Sequence, residues 1–535
     1  MNKFNLTEEP WIPCRMPNGT LQELSLTKTL VNAHEISEVV DDSPLVVISL
    51  YRFLLAILHR NFGPKNFEEW KTLWSNGCWD AATISNYFAE WHHRFNLFDE
   101  TRPFYQYNSV LKAKGLEADV VPIEILMQEK AGGNNATLFD HSFETKVTSY
   151  PTSVVTRYLI ARQGFSIGFG KSHPFYFSDS TTIRGLTLLN VGNSLFETLA
   201  LNLVPYSGDK PIPVQEEGGR SLDMPFWERS SLDEAGEEDH AGTLPLGYLD
   251  YLTWQSRRIR LFPERDGTAV SKCQIQQNFK LIGDNLFDPF KVYTSDEKTG
   301  WRAQGISPER AVWRDSHTLL RKSDSSTKQA AVLSIPSKLM LARDEGQIEA
   351  QRRYSLAVFG IATEVGKAAN IVLWTHERLP LPLVYLSEDD LLASLQKCLE
   401  FTEEIGKALR AGVRVLIHTL AERADDKRKN KTEAFPAQES YWSQMELRFH
   451  MLLERLPSET EAEMRAWFAD TLQTATKAFR DTLKGLSGTA AETKAVVNAE
   501  NEFWRSIYGS IKRNPNSWQA YLPKQFAAKG DGMMN

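Results

Sequence analysis

The sequence has little cysteine, and no two of its cysteines are spaced to share a metal ion. The 535 residues include 4 cysteines, Cys14, Cys78, Cys273 and Cys398, and none of them forms a CxxC pair. Structural zinc sites and the disulfide frameworks of secreted domains both depend on clustered cysteines. The spacing therefore argues against both and predicts a protein of the reducing cytoplasm.

Motifs of common metalloenzymes are also missing. The sequence has no HExxH, no HxH pair and no HD dyad, and its 11 histidines are scattered. Such motifs supply the ligands and the general base that metal-dependent hydrolysis needs. We therefore predict that the chain is not an enzyme and carries no cofactor, although missing short motifs do not exclude an active site that converges only in space.

No stretch predicts a membrane segment. The N-terminus lacks the basic, apolar and small-residue pattern of a signal peptide, and Arg52 interrupts the most apolar run, Pro44–Leu58. Ser43 followed by Pro44 is a favourable helix start, so this run predicts a buried helix. We expect a cytoplasmic protein that does not bind membranes.

Basic residues do not outnumber acidic ones. The formal net charge is −7, which excludes a histone-like basic surface but not a local basic groove. Arg257, Arg258 and Arg260 cluster after Trp254. Arginines interleaved with aromatic residues can contact phosphates, although an ordinary ion pair is the simpler interpretation of each arginine alone.

The pattern of apolar residues predicts an α+β fold, a large mixed N-terminal domain followed by an antiparallel four-helix bundle. Up to about residue 384, glycine turns alternate with β-branched runs such as Ser153–Ile160, which indicate strands. From Ser387, the predicted N-cap, apolar residues advance by three and four along segments 387–420, 438–456, 459–483 and 490–512. The predicted domains are 1–384 and 387–514, with a tail at 515–535.

A glycine-rich loop at 162–174, RQGFSIGFGKSHP, is the strongest local signal. Glycine lets a main chain approach a phosphate or a groove wall closely. A Walker A loop has four residues between its first glycine and GK[ST], but Gly164 and Gly170 have five between them, and HPFYFS, from His173, indicates a strand instead of a helix. The interpretations are a nucleic-acid contact, an ordinary glycine turn or, as the alternative function, a nucleotide-binding enzyme that uses Gly164–Ser172.

A second loop, Ala131–Ser142, joins polar residues and glycines to the sequence TLFDH. Its adjacent Asp140 and His141 do not make a metal site without further ligands. The functional interpretation is that Phe139 or His141 stacks on an unpaired RNA base. The structural interpretation is a plain surface loop.

Several segments, in order, resemble the CasA family, the large subunit of the type I-E CRISPR surveillance complex called Cascade. The segments are Phe4–Pro13, Phe95–Gln106, Thr137–His141, Gly164–Gly170, Tyr251–Leu261 and Trp374–Pro382. The resemblance implies a non-catalytic subunit that binds the 5′ handle of the guide RNA and recognises the protospacer-adjacent motif (PAM) of double-stranded DNA. It also implies that the subunit promotes duplex opening and R-loop formation, contacts other Cascade subunits and helps to recruit the effector helicase-nuclease.

The resemblance carries site residues over by position. The glycine loop that lies in the minor groove of the PAM duplex corresponds to Gly164, Gly168, Phe169, Gly170 and Lys171. A lysine that reaches the same groove corresponds to Lys280. The loop that engages the guide handle corresponds to Asn134, Asn135, Phe139 and His141.

A hairpin before the WTHERLPLP segment is the family's third PAM element, and it corresponds to Gly366, Lys367, Ala368, Ala369 and Asn370. The family has a glutamine wedge and a polar reading residue there, whereas this sequence has Ala368 and Lys367. Either the loop is displaced by a residue or two or strand separation relies on other groups, and we expect the PAM preference to differ from that of better-known relatives. A scaffold whose glycine and basic segments contact only protein is a third interpretation, which a salt-dependent DNA or RNA shift assay would test.

Overall fold

The chain folds into two compact units. The computed structural model describes all residues except 1–3, 111–116, 130–147, 169–178, 206–211, 231–241, 279, 283–285, 299, 307–309, 345–353, 365–366, 422–435, 485, 487 and 528–535. The first unit, the mixed unit, comprises Met1–Val312 with Lys322–Leu383, and the second, the helical unit, comprises Trp313–Arg321 with Val384–Asn535. The predicted fold class, α+β with C-terminal helices, is confirmed.

The strands pair into several small antiparallel sheets, all within the mixed unit. In chain order the strands are β1 (Ile12–Arg15), β2 (Leu21–Leu24), β3 (Glu38–Val39), β4 (Val121–Pro122), β5 (Tyr150–Pro151), β6 (Thr187–Val191), β7 (Glu216–Glu217), β8 (Arg220–Ser221), β9 (Arg257–Pro263), β10 (Ala269–Gln277), β11 (Tyr293–Asp296), β12 (Gly300–Ala303), β13 (Thr327–Lys328), β14 (Tyr354–Glu364) and β15 (Lys367–Leu381). The strand orders are β2-β1-β3, β4-β10-β5 with β9 beside β10, β12-β11-β13, β15-β14-β6 and β7-β8.

Helices occur in both units. They are α1 (Leu26–Val31), α2 (Pro44–Phe62), α3 (Phe67–Asn76), α4 (Ala81–Trp91), α5 (Thr152–Gly164), α6 (Leu195–Leu201), α7 (Tyr248–Leu252), α8 (Ser316–Leu320), α9 (Ser334–Asp344), α10 (Asp389–Ala421), α11 (Ala437–Arg455), α12 (Thr460–Leu483), α13 (Ala490–Arg513), α14 (Pro515–Trp518) and α15 (Lys524–Ala527). Helix α8 and helices α10 to α15 belong to the helical unit.

Helix α2 is the predicted buried helix. Ser43 caps it, because its Oγ accepts a hydrogen bond from the Val46 amide, and Pro44 is its first residue. Among the described residues it alone is long and apolar enough to cross a membrane, but 83% of its most apolar stretch is buried inside the protein. Arg52, in its middle, is buried and pairs with Asp288 at 3.1 Å, as expected of a core helix that satisfies a buried charge internally.

The prediction that Ser153–Ile160 forms a strand is wrong, because these residues lie in α5. Val155 and Thr156 are β-branched, but both are fully buried in the helix, where side-chain packing outweighs a weak strand propensity. Arg157 fixes the helix from the other side, since its guanidinium pairs with Glu23 at 2.6 Å and Asp41 at 3.0 Å.

The helical unit is built on the four predicted long helices, α10 to α13, whose ends lie within a residue or two of the predicted segments. Rings from different helices stack in its core: Phe401 on Phe468 at 4.0 Å and Phe479 on Phe503 at 4.6 Å between centroids. Ser387 is not the N-cap of α10, because the helix begins at Asp389. The carbonyl of Glu388 accepts the first helical hydrogen bond, from the Leu392 amide at 3.2 Å.

Two segments outside these helices complete the helical unit. Residues 313–321 pack within it, and Arg314 pairs with Glu403 through bonds of 2.6 and 2.8 Å while its guanidinium lies 3.5 Å from the Trp442 ring centroid. The C-terminal segment contributes Trp518, which is buried with its ring edge-on to Phe401. The sequence pattern indicated neither attachment.

Candidate nucleic-acid interface

The glycine loop is tied together at its base by main-chain hydrogen bonds. Helix α5 ends at Gly164, whose carbonyl accepts from the Thr182 amide at 3.1 Å, and the Ser166 carbonyl accepts from the Ser180 amide at 2.8 Å. The Gly168 amide then donates to Asp179 Oδ1 at 2.8 Å. We refer to residues 164–168 and 179–184 as the loop neck. The neck holds the two ends of the glycine-rich segment together, and Phe169, Gly170 and Lys171 lie outside the described residues.

Two buried cations donate hydrogen bonds to main-chain carbonyls of the neck. The Arg257 guanidinium, 0% exposed, donates to the carbonyls of Ser166 at 3.4 Å and Ile167 at 3.2 Å. Lys291 Nζ donates to the Thr182 carbonyl at 2.7 Å and to the Arg184 carbonyl. Burial lowers the pKa of Lys291 to about 8, so the amine is still charged at neutral pH. These charge-assisted bonds give main-chain carbonyls of the neck donors that come from other segments of the chain.

Phosphate contact, one of the two interpretations of the arginine cluster, does not hold for Arg257 and Arg258. Arg257 and Arg258 are buried, and Arg258 donates to Asn278 Oδ1 at 3.4 Å with its guanidinium over the Tyr107 ring. Both lie at the start of β9, whose residues pair with the end of β10, so neither can contact a phosphate. Arg260 is partly exposed and lies over Phe262.

The stem of the second loop joins the same network. Gln128 is buried; its Nε2 donates to the Phe165 carbonyl, and its Oε1 accepts from the Ile167 amide at 3.1 Å. Residues 130–147 follow directly, so the predicted guide-handle residues Asn134, Asn135, Phe139 and His141 lie outside the described residues. Their loop nevertheless starts from the glycine-loop neck.

The hairpin β14–β15 reaches the neck through Arg184. Arg184 Nε donates to Asp179 Oδ2 at 2.6 Å, and its NH1 makes a long contact of 3.4 Å with Thr363 Oγ1, near the end of β14. Asp179 also accepts from the neck amide of Gly168. The Asp179 carboxylate, through Arg184, thus links the glycine loop to the hairpin.

The hairpin differs in detail from the prediction. Lys367, Ala368, Ala369 and Asn370 are the first residues of β15 and not a loop, while Gly366 lies outside the described residues. Glu364 pairs with Lys367 and Thr363 with Ile371, so the register shifts and the three residues 368–370 bulge from the ladder. A bulge re-aims a strand locally and is frequent beside functional sites.

Lys280 is exposed just beyond the end of β10. Its carbonyl accepts from the Thr243 amide at 2.9 Å, and Gly242, at φ +78°, lies so close that a Cβ would come within 2.5 Å of that oxygen. Gln277, the last residue of β10, pairs with Arg257. Lys280 is therefore three residues from the strand end that supports the loop neck.

Two catalytic interpretations of the glycine loop find no support in this geometry. Gly164 ends a helix, where the helix dipole is negative, whereas a Walker A loop places phosphate at a helix N-terminus. Residues 164–168 also spell GxSxG, a pattern that the prediction of a non-enzyme wrongly took to be absent. A nucleophile elbow exposes its serine between strand and helix, but Ser166 follows a helix, is 0% exposed, and its Oγ has no hydrogen-bond partner among the described residues.

The interface residues that sequence reasoning missed are all polar, and they come from four separate segments of the chain. They are Gln128, Asp179, Arg184, Lys291 and Thr363, and no motif links them. Within the described part of the chain, no three His, Cys, Asp or Glu side chains are grouped to hold a metal ion. These polar residues can hold main-chain loops in position for contact with a ligand. They contribute hydrogen-bond donors and cations, and not a set of metal ligands.

Comparison with known proteins identifies the family. The family model for CRISPR-associated protein Cse1 matches residues 5–478. The curated CasA/Cse1 of Thermus thermophilus is 28% identical over 523 residues, which cover 95% of this chain and 98% of the relative.

Solved structures show the same fold. The structure of Thermus thermophilus CasA (Cse1) matches with a TM-score of 0.77 and 26% identity, covering 95% of this chain and 99% of that one. A chain of a CRISPR RNA-guided surveillance complex matches with a TM-score of 0.72 and 18% identity, covering 94% and 100%. The resemblance to CasA is confirmed, and the chain belongs to the CRISPR-associated protein Cse1 family.

Proposed function

We propose that the chain is a non-catalytic subunit of a cytoplasmic CRISPR RNA-guided surveillance complex of type I-E. In this proposal it recognises the PAM of target double-stranded DNA, binds the 5′ handle of the guide RNA, and promotes duplex opening and R-loop formation. It contacts the other subunits and helps to recruit the effector helicase-nuclease. Its family membership supports the proposal, as does the structural neighbour that is itself a chain of such a complex.

The observation that carries the proposal is the convergence of three loop stems. Gln128 leads into the loop proposed to bind the guide handle, and it is hydrogen-bonded to Phe165 and Ile167 of the glycine-loop neck. Arg184 connects the same neck to Thr363 of the hairpin. Segments far apart in sequence therefore start from one rigid base, as a site that engages the guide and the adjoining DNA together requires.

The proposed contacts follow from the dimensions of DNA. A minor groove about 6 Å wide admits a glycine main chain more easily than bulky side chains. A subunit that tests many duplexes briefly should bind them weakly and mainly through phosphates, which suits a net charge of −7. Parting one base step costs about 0.6–2.2 kcal/mol of stacking, which a few inserted groups can offset.

Charge removal in the assembled complex tests the proposal. We expect Lys171→Ala and Lys280→Ala each to weaken binding to a PAM-containing duplex severalfold and to reduce the slope of log affinity against log salt by about 1. Lys272→Ala is the matched control, because Lys272 is an exposed lysine on β10, about 25 Å of extended chain from Lys280. Assembly should be normal in all three variants.

The outcome separates DNA recognition from scaffolding. If both lysine variants bind the duplex as the control does, with an unchanged salt slope, the proposed DNA contacts are wrong. A parallel measurement uses Phe139→Ala, which should weaken association with a guide-loaded complex while leaving the fold of the isolated chain unchanged.

A further inference from the structure

A cavity of about 170 Å³ lies beside the glycine-loop neck in the mixed unit. Among the described residues, its walls include the rings of Tyr107, Phe226 and Trp254 and the side chain of Gln255. Gln255 precedes Ser256, whose Oγ donates to the Gln163 carbonyl at the end of α5. The cavity and the neck therefore share one short piece of chain.

The size and walls of the cavity fit one planar ring. A cavity of about 150 Å³ lined by apolar groups is large enough for benzene, and aromatic walls favour stacking. Leu244, which also lines the cavity, is 50% exposed, so the space reaches the surface. The charged wall residues Arg229 and Asp250 pair with each other, so the cavity suits a neutral ligand better than an ion.

A chain of hydrogen bonds leaves one donor unused in the cavity wall. Arg258 can only donate, so its contact with Asn278 fixes the amide oxygen there, and Asn278 Nδ2 donates to Tyr107 Oη at 2.8 Å. The Tyr107 hydroxyl then donates to Gln255 Oε1 at 3.3 Å. Gln255 is 8% exposed, and its Nε2 has no hydrogen-bond partner among the described residues.

A buried amide donor without a partner is unfavourable, and a rotation of the covered Gln255 amide into the cavity would let an acceptor on a ligand, or water, satisfy it. Every nucleobase offers ring nitrogens or carbonyl oxygens as acceptors, together with a flat face that stacks on aromatic side chains. The rim of the cavity includes Thr243, whose amide donates to the carbonyl of Lys280. The main chain of Lys280, a cation proposed to contact DNA, is thus bonded to a residue of the cavity wall.

We propose that this cavity receives one unpaired nucleobase from the DNA strand that Lys280 contacts, stacked on its aromatic walls and hydrogen-bonded to Gln255 Nε2. The inference rests on the proposed function, and it adds a site that captures a base released when the duplex opens. Nε2 can donate to an acceptor on any base, but a cavity that fits one ring favours a pyrimidine over a purine, which has two fused rings. Capture of a base would favour the opened state of the duplex.

Abasic substitution in the assembled complex tests this site. Each nucleotide next to the PAM, on either strand, is replaced in turn by an abasic nucleotide, and binding is compared with that of the intact duplex. At one position we expect the base to improve wild-type binding about tenfold. Leu246→Trp, which fills the cavity, and Gln255→Leu, which removes the donor, should each abolish that preference while leaving abasic DNA binding unchanged.

The outcomes distinguish the site from the function. If both variants assemble and keep the wild-type base preference at every position, the cavity does not hold a DNA base, although duplex binding and the proposed function stand. If a base preference sensitive to the variants appears only in an abasic scan of the guide handle, the assignment to DNA is overturned. A variant that lowers binding of intact and abasic DNA equally acts through folding and also contradicts the proposal.

Discussion

Replacing Arg257 with methionine should loosen the glycine-loop neck without emptying the space that the side chain occupies. The guanidinium is 0% exposed and donates to the carbonyls of Ser256 at 2.8 Å, Ile167 at 3.2 Å and Ser166 at 3.4 Å. Methionine fills similar volume along the stem but offers no donor. The variant therefore leaves buried carbonyl oxygens without the partner that the arginine supplies.

The expected loss can be estimated from these distances. A buried acceptor left unsatisfied costs about 1–3 kcal/mol. The Ile167 carbonyl loses its donor at 3.2 Å, whereas the Ser256 carbonyl still accepts from the Asn278 amide at 3.0 Å and the Ser166 carbonyl from the Ser180 amide at 2.8 Å, so we expect a loss of about 2 kcal/mol. Arg260→Met is the matched control, since Arg260 lies three residues along the same strand, partly exposed over Phe262. Its replacement should change the free energy of unfolding by less than about 1 kcal/mol.

Hydrogen exchange and urea unfolding on the full chain check the prediction. In Arg257→Met, the amides of Ile167 and Gly168 should exchange about tenfold faster than in the wild type, because the neck opens more readily. The assembled complex should also bind PAM duplexes more weakly, since a looser loop must be ordered on binding. Equal exchange and equal unfolding midpoints for the methionine variants at 257 and 260 would refute the role given to the buried guanidinium.

Further predictions concern stability. Burial lowers the pKa of His59 from 6.5 to about 3. The neutral ring therefore stabilises the fold above pH 6.5, and this contribution, up to about 5 kcal/mol, is lost as the pH falls towards 3. In acid titrations followed by fluorescence, His59→Leu should lose less stability over that range than the wild type does. Thr489→Ala removes the capping box of α13 and should cost about 1 kcal/mol in urea unfolding, whereas no change would mean that water replaces the cap. Arg314→Met leaves the carboxylate of Glu403 without its bidentate partner and should lower stability by about 3 kcal/mol, more than Arg314→Lys does.

The helical unit was the most predictable part of the fold. Its long helices repeat apolar residues every three or four positions over many turns, so a few mismatched residues do not obscure the pattern. Helix α5 is the opposite case. It is short and buried on most sides, so its sequence has no amphipathic period, and the β-branched residues of Ser153–Ile160 then favour a strand.

The candidate site was only partly predictable. The glycine loop was recognisable from its own short pattern, because glycine has local conformational reasons for its positions, whereas the hairpin was placed only by the resemblance to the family. The neck that supports them was not predictable. Gln128, Asp179 and Thr363 meet there from segments separated by more than fifty residues, and a single polar residue carries no sign of a distant partner.

The buried arginines of the cluster show why such a site is difficult to predict from sequence. A loop rich in glycine has few side chains with which to anchor itself, so its own carbonyl oxygens must be held by donors from elsewhere. A guanidinium serves carbonyl oxygens with the same fork of N–H groups that it offers to phosphate oxygens. Arg257 uses this fork on the protein's own loop. An arginine cluster next to a glycine loop is therefore expected whether the arginines touch nucleic acid or hold the loop that does, and burial alone distinguishes the two.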